Sequence, residues 1–249
     1  MIKALLFRRF WLMGHRPMIT FSFMVILPLL LHVSITMVMK NIFIQSLDKI
    51  PYEIWVFPGI VLTIASMSMY SIIYRDMFDL RIHKKSFLPM TLTPFTKTQL
   101  ILGFLITSII ETTVYVLIAM GVLTILLPNS LDWSDYFIIP IFAFLYSFIL
   151  GNIIITFSVL TDRVSTYIFT SVTMFLVIVF GSGILVEFEF YPKTIGIILS
   201  NLPLSMILTS LRSIIFFNRF DWTLIITPIV VAIVWTWMNG YLLKRKLRQ

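Results

Sequence analysis

Few residues of this chain have the type and spacing that a reaction within one site would need. Three histidines, at positions 15, 32 and 83, are too scattered to form a metal site with carboxylates. No Gly-x-x-x-x-Gly-Lys-Ser/Thr sequence occurs, so the chain carries no phosphate-binding loop of that kind. His32 could join Asp48 or Glu53 in a hydrolytic site, but no nucleophile signature accompanies them. The sequence therefore predicts no catalytic residue, no metal site and no cofactor site.

Glu111 is the acidic residue that falls deep inside a long apolar segment. An ionisable group at such a depth is costly and marks a candidate functional site, so Glu111 is a candidate for a translocation path. The alternative is a structural Glu111 that pairs with a Ser, Thr, Asn or Tyr of a neighbouring helix, or with a symmetry mate. The sequence leaves both interpretations open.

The elements that position these residues are predicted to be membrane-spanning helices. Of the 249 residues, 59% are hydrophobic and 12% are charged, roughly half the charged fraction of an average soluble domain. Apolar runs of about 20 residues are typical of spanning helices, and the alternating pattern of a membrane barrel is absent. The predicted fold is therefore an all-α polytopic membrane protein. Its six predicted spans are 18–39, 54–74, 100–127, 136–160, 165–186 and 222–243.

The stretch 187–221 differs from the spans. It opens with charged residues and Pro192, and its apolar part is interrupted by Pro203, so that neither half is long enough to cross a bilayer. This pattern predicts a broken, re-entrant outer hairpin between spans five and six. A seventh or eighth span is the alternative.

Basic residues predict the orientation of the chain. Cytoplasmic loops are enriched in Lys and Arg, and with the N-terminus inside, most of the 19 basic residues lie on that side. Both termini are therefore expected in the cytoplasm. The net charge of +8 is explained by this sidedness, and it does not indicate nucleic-acid binding. The basic residues assigned to the other side are Lys40, Lys49, Lys193, Arg212 and Arg219.

The first 17 residues mix basic and large apolar side chains, which is typical of a helix at the headgroup level. The amphipathic pattern has one irregularity, because Arg9 falls on the same side as Ile2, Leu5, Leu6 and Met13. A basic flank that only sets the topology is the alternative.

The longest cytoplasmic connection, 76–96, interleaves charged residues with Met, Phe, Leu and Ile. Because charge with apolar anchors suits a docking surface, we predict an amphipathic helix that contacts another protein. A solvated loop that holds the topology is the alternative. The candidate contact residues are Arg75, Asp76, Asp79, Arg81, His83, Lys84 and Lys85.

Several short motifs occur in an order that resembles a known family. Pro58-Gly59 lies early in the second span, and Thr93-Pro94 precedes the third. After the fifth span, Asn201-Leu202-Pro203-Leu204-Ser205 is followed by Leu211-Arg212. This layout, over the whole chain, resembles the permease subunits of type-2 ABC exporters. Asn201, Pro203 and Arg212 correspond to the outer hairpin of that family.

The resemblance implies a multi-pass subunit of a bacterial cytoplasmic membrane. It implies a pore formed with a second copy or a close homologue, driven by separate ATP-binding cassette subunits that hold ATP and Mg. It also implies export without naming the cargo, and the 15% aromatic content favours a lipid-linked glycan or glycolipid over a hydrophobic drug.

The chain departs from the family in the coupling segment. The usual acidic residue with Gly-Thr and Glu is replaced by Arg75-Asp76 and then His83-Lys84-Lys85-Ser86. Two other functions are open: an ATP-independent secondary transporter or channel that uses Glu111 as a proton carrier, and a membrane enzyme that acts on lipid intermediates.

Overall fold

The computed structural model describes residues 2–15, 17–83, 89–90, 94–127 and 131–247. Within these ranges the chain is helical and forms no β-sheet; the pairing of Gln45 with Pro51 is an isolated bridge. Six helices are long and apolar enough to cross a membrane. The chain is therefore an all-α polytopic membrane protein, as predicted. The spans, numbered 1 to 6 in chain order, are Pro17–Met37, Tyr52–Ile82, Lys97–Leu126, Asp135–Leu160, Val164–Gly181 and Trp222–Lys246.

The remaining helices lie outside these spans. An N-terminal helix, Ile2–His15, precedes span 1. Between spans 5 and 6, helices Lys193–Ser200 and Pro203–Phe217 form a pair bent by 85°, which we call the hairpin. The second helix begins at Pro203, whose missing N–H suits a first helical turn. The predicted break at Pro203 is thus present, and neither helix of the pair has the length of a span.

Span 2 is the central helix of the bundle. In its most apolar window 83% of the residues are buried, against 22% in spans 1 and 5. It packs against spans 3 and 4, and span 6 packs against the same two. Spans 1 and 5 therefore present most of their apolar side chains outward, as helices surrounded by lipid do.

Span 2 is longer than predicted. Its helix does not end at residue 74 but continues through a π-helical stretch, Tyr74–Asp79, to Ile82. The sequence from 74 to 82 contains no Gly or Pro that would stop a helix, and its first charges are neutralised by contacts within the protein. The predicted coupling segment 76–96 therefore begins inside span 2, which contains residues 76–82. Residues 84–88 and 91–93 lie outside the described residues.

Spans 4 and 6 are joined by amide side chains. Asn239 Nδ2 donates to Asn152 O at 3.0 Å and to Asn152 Oδ1 at 3.1 Å. Thr236 Oγ1 donates to the same Oδ1 at 3.1 Å, and Thr156 Oγ1 donates to Asn239 Oδ1 at 2.7 Å. Hydrogen bonds of this kind, with no water to compete, fix two helices against each other in a membrane.

We name the two ends of the bundle after the helical elements that lie there. The N-terminal face holds the N-terminal helix, the end of span 2 and the end of span 6. The hairpin face holds the start of span 2, the end of span 5 and the hairpin. Sequence analysis predicts the N-terminal face to be cytoplasmic.

Candidate functional site: an ionic cluster and two helix anchors

The N-terminal helix rests on span 3. Phe7, Phe10 and Trp11 are exposed on it, as expected for a helix that lies at a membrane surface. Arg9 is different, since only 4% of it is exposed. The side chain that interrupted the apolar face in the sequence therefore points into the protein.

Arg9 reaches two carboxylates on two different spans. Its Nη1 donates to Glu111 Oε2 at 2.6 Å, and its Nη2 lies 2.5 Å from Asp76 Oδ2. Nη2 also donates to Ser108 Oγ at 3.0 Å. The residue ties the N-terminal helix to the end of span 2 and to the middle of span 3.

Arg75 binds the same two carboxylates from the side of span 2. It donates to both oxygens of Glu111, from Nη1 to Oε1 at 3.2 Å and from Nη2 to Oε2 at 2.8 Å. It also donates to both oxygens of Asp76, from Nε at 3.0 Å and from Nη2 at 3.3 Å. Forked pairing of this kind is the strong, directional mode of guanidinium binding.

These four residues, Arg9, Arg75, Asp76 and Glu111, form what we call the ionic cluster. The Asp76 and Glu111 side chains are 2% and 3% exposed, and two arginines offset their two negative charges. Arg8 lies at the rim, with its Nη1 3.8 Å from Asp76 Oδ1. A buried pair that loses one partner leaves an uncompensated charge, which destabilises a protein by about 3–5 kcal/mol.

The cluster holds three helical elements together. Glu111 accepts three hydrogen bonds from two arginines, one on the N-terminal helix and one on span 2. The partners expected for a structural Glu111 were Ser, Thr, Asn or Tyr, and the structure gives arginines instead. The signal for Arg9 was its place on the apolar side of the N-terminal helix.

Besides the ionic cluster, the N-terminal face contains a second set of ion pairs, which lies at the end of span 2 and which we call the Arg81 anchor. Arg81 Nη1 donates to Asp162 Oδ1 at 2.7 Å, and Lys246 Nζ donates to Asp162 Oδ2 at 2.7 Å. Arg81 Nη2 also donates to the carbonyl oxygens of Ser158, at 2.8 Å, and Thr161. These carbonyls close span 4, whose last turn otherwise lacks donors. Arg81 thus joins the end of span 2 to the end of span 4, and Asp162 links it to the end of span 6.

An anchor on the hairpin face is formed by Arg212. Its Nη1 donates to Gly183 O at 2.6 Å and its Nη2 to Ile184 O at 3.1 Å. Its Cζ lies 3.5 Å from the centre of the Trp55 ring at the start of span 2, a distance at which cation–π attraction is strong. Tyr52 Oη adds a hydrogen bond to Leu185 O at 3.1 Å. The hairpin, the end of span 5 and the start of span 2 are held together here.

Gly59 permits this approach. A Cβ at position 59 would lie 3.0 Å from Ile184 O and 3.3 Å from Arg212 Nη2. The Pro58-Gly59 pair therefore has a physical reason in this chain, since the backbone of residues 183 and 184 passes close to span 2.

Between spans 2 and 5 lies an open crevice of about 240 Å³. The hydroxyls of Tyr70 and Ser171 are buried there without a hydrogen-bond partner among the described residues. Its lining residues are Met67, Tyr70, Ser71, Ser171, Val172 and Phe175. The crevice is therefore mainly apolar, and Ser71 is the exposed hydroxyl residue of its described lining.

The predicted site residues fall into separate places. Arg75, Asp76 and Glu111 meet in the ionic cluster; Asp76, only 1% exposed, is not available as an exposed docking residue. Asp79 and His83 stand one turn apart on the N-terminal face, 3.2 Å from each other. Lys84 and Lys85 lie outside the described residues. Asn201 closes the first hairpin helix, since its Nδ2 donates to Ile197 O at 2.8 Å.

The described residues contain no group of three or more His, Cys, Asp or Glu that could hold a metal ion. The fold and its buried polar contacts define the chain as a multi-pass membrane protein. Comparison with protein-family models, with curated proteins and with solved structures finds no match.

Proposed function

We propose that this chain is the permease subunit of an ATP-driven exporter of a bacterial cytoplasmic membrane, with both termini in the cytoplasm. Two copies, or one copy and a close homologue, would form a translocation path at their interface. Separate ATP-binding cassette subunits would bind ATP and Mg and hydrolyse the nucleotide. This is the function implied by the order of motifs along the chain.

One observation carries the proposal: span 2 is a continuous buried helix anchored at both ends. Its 31 residues extend over about 46 Å at 1.5 Å per residue. The ionic cluster and Arg81 hold its N-terminal-face end, and Trp55 with Arg212 holds its hairpin-face end. A displacement of Ile82 or His83 would therefore be transmitted to the hairpin along a continuous helix, with no flexible loop in between.

The mechanism that we infer is mechanical. Closure of the ATP-binding subunits would push on the segment that follows span 2. Because Arg9 and Arg75 bind span 3 and the N-terminal helix to span 2, these three elements would move as one body. The hairpin, attached through Arg212, would move with them and open the path on the other face.

The crevice between spans 2 and 5 supports an amphipathic cargo. Ser71, an exposed residue of its lining, could offer a hydroxyl to a sugar or headgroup, while Met67, Val172 and Phe175 would contact an apolar chain. A lipid-linked glycan or glycolipid fits this description, and so does a hydrophobic drug. Glu111 does not line this crevice.

The rival function, a proton-coupled secondary transporter, would use Glu111 as carrier. Its ion pairs with Arg9 and Arg75 favour a structural role, because a carrier must lose and regain its proton during each cycle. No observation favours a membrane enzyme, since no nucleophile, base and acid converge among the described residues.

The proposal is tested by reconstitution. The chain is co-expressed with an ATP-binding cassette subunit encoded next to it, purified, placed in liposomes, and assayed for ATP turnover and movement of a fluorescent glycolipid. We expect a stable complex whose transport requires ATP. If the chain alone moves the lipid under a proton gradient and binds no ATPase, the proposal is wrong.

A charge-matched pair of variants tests the role of the end of span 2. Reversal of Arg81, Lys84 and Lys85 to Glu should detach or uncouple the ATPase. Reversal of Lys244, Arg245 and Lys246 to Glu is the control, since it changes the charge equally and also removes one partner of Asp162. Normal stimulated ATP turnover in the first variant would contradict the coupling mechanism.

A further inference from the structure

A groove of about 450 Å³ lies on the N-terminal face, between the start of span 3 and the end of span 6. Its size is within the range of small-molecule sites, about 300–1,000 Å³. Its lining residues are Phe95, Thr96, Lys97, Thr98, Trp237, Gly240, Tyr241 and Lys244. None of them belongs to the ionic cluster or to the anchors at Arg81 and Arg212.

Span 6 contributes one face of its last turns to the groove. Trp237, Tyr241 and Lys244 are spaced by four and three residues, so that they lie above one another on the helix. From Trp237 to Lys244 the helix rises about 10 Å. Both aromatic residues are exposed. The face thus changes from aromatic to cationic over the thickness of a headgroup layer.

Span 3 contributes the opposite wall. It begins at Lys97, and Thr96 caps it by accepting from Gln99 N at 3.2 Å. The partial positive charge of a helix N-terminus adds to that of Lys97 and Lys244. Among the described lining residues, Lys97 and Lys244 are cationic and none is acidic. Thr96 and Thr98 add hydroxyl groups.

Gly240 sets the separation of the two walls. A Cβ at position 240 would lie 2.9 Å from Thr98 Cα and would also collide with Thr98 Oγ1. The helices touch at this point, and the side chains on either side of it diverge around the groove. The site is thus built by the close approach of two spans.

We propose that this groove binds the headgroup of an anionic phospholipid. The phosphate would lie between Lys97 and Lys244, near the hydroxyls of Thr96 and Thr98, and Trp237 would contact the first part of the acyl chain. The choice of a lipid follows from position and charge, because the groove lies at the ends of two spans, where the headgroup layer is. The inference requires only that the chain is inserted in a membrane, and it does not depend on the exporter proposal.

Lipid titration in nanodiscs tests this site. The purified chain is placed in phosphatidylcholine nanodiscs with increasing phosphatidylglycerol, and bound lipids are counted by native mass spectrometry. A lysine near an anionic surface contributes about fivefold to affinity. We therefore expect Lys97→Gln with Lys244→Gln to lower the preference for phosphatidylglycerol by more than the about 25-fold that two surface lysines contribute wherever they lie.

A charge-matched control separates the groove from general surface charge. Lys3→Gln with Arg245→Gln removes the same charge from two exposed positions, and we expect a smaller loss, of at most about 25-fold. Equal losses in both double variants, or no preference in the unaltered chain, would overturn the proposal. Binding of inorganic phosphate in detergent, at the affinity found for the lipid, would show a phosphate site without lipid recognition and would also contradict it.

A second readout covers the case in which the double lysine variant does not fold. Phosphatidylglycerol with brominated acyl chains quenches nearby tryptophan fluorescence. We expect Trp237→Phe to remove more of this quenching than Trp133→Phe does. Trp133 is an exposed tryptophan outside the groove. Equal losses would count against the site.

Discussion

Arg9 Nη1 lies 2.6 Å from Glu111 Oε2, although the two residues are 102 positions apart in the chain. The contact joins the N-terminal helix to the middle of span 3. About 14 residues separate Glu111 from the start of span 3, or roughly 21 Å along its axis. Without Arg9 and Arg75, a carboxylate at this depth would have no compensating charge. The bundle is therefore stable only when the N-terminal helix is docked so that Arg9 pairs with Glu111.

Replacement of Arg9 by Gln should destabilise the protein strongly. The substitution leaves the buried carboxylates of Asp76 and Glu111 with Arg75, which is partly exposed, and the expected loss is about 3–5 kcal/mol. Arg8→Gln is the matched control, because the Arg8 side chain is 30% exposed and 3.8 Å from Asp76; its effect should stay below about 1 kcal/mol. Thermal unfolding in detergent measures both. Similar losses in the two variants would contradict the assignment of the cluster.

Replacement of Gly59 by Ala should disturb the hairpin face. The new Cβ would press on the backbone oxygen of Ile184, which Arg212 also binds, and such overpacking costs about 1–3 kcal/mol. Gly121→Ala is the control, since nothing lies within 4 Å of a Cβ there. That change should be neutral or stabilise span 3 by about 0.5–1 kcal/mol. If both variants have the same melting temperature, the close approach at Gly59 does not matter for stability.

Asp162 should make part of the stability dependent on pH. The hydrogen bond from Lys246, together with a further one from Arg81, holds the pKa of Asp162 below its usual value of about 4. A carboxylate with a lowered pKa in the folded state contributes stability above the pKa of the unfolded state. This contribution is lost as the pH falls through the lower, folded-state pKa.

The measurement compares the unaltered chain with Asp162→Asn. The difference in their melting temperatures should be constant near pH 7 and should shrink as the pH falls below about 4. Asp48→Asn, an exposed carboxylate on the opposite face, serves as control. A difference that is unchanged at pH 3 would show that the ion pairs with Arg81 and Lys246 contribute nothing.

The predicted orientation can be tested by single cysteines, because the natural sequence contains none. A membrane-impermeant maleimide added to intact cells should label Trp133→Cys and Asp221→Cys, which lie at the hairpin face. It should label His15→Cys only after the membrane has been permeabilised. Labelling of His15→Cys in intact cells would reverse the assignment of the cytoplasmic side.

Hydropathy was sufficient to predict the spans, because an apolar run of 20 residues has few alternatives in a membrane protein. The break at Pro203 was also predictable, because this proline separates two apolar runs that are each too short to cross a bilayer. The end of span 2 could not be predicted from the sequence. Arg75 and Asp76 read as the start of a polar loop, and only their partners on other helices explain why the span continues to Ile82.

The ionic cluster was visible in the sequence only as two anomalies. Glu111 was an acid within an apolar run, and Arg9 was a base on the apolar face of a helix. The pairing of the two residues was not predicted, because the partners expected for Glu111 were Ser, Thr, Asn or Tyr, or a symmetry mate. The pairing is set by the packing of the N-terminal helix on span 3, a tertiary contact without a local signal.

The 102 positions between Arg9 and Glu111 impose an order on assembly. At about 5–20 residues per second, Glu111 is synthesised about 5–20 s after Arg9. During that interval Arg9 can stay hydrated at the membrane surface. Arg75, Asp76 and Glu111 together carry one negative charge, so spans 2 and 3 enter the bilayer with an incomplete neutralisation that favours docking of Arg9. The first helix to be made can thus reach its final place only after span 3 has been synthesised, and a defect in span 3 would displace the N-terminal helix.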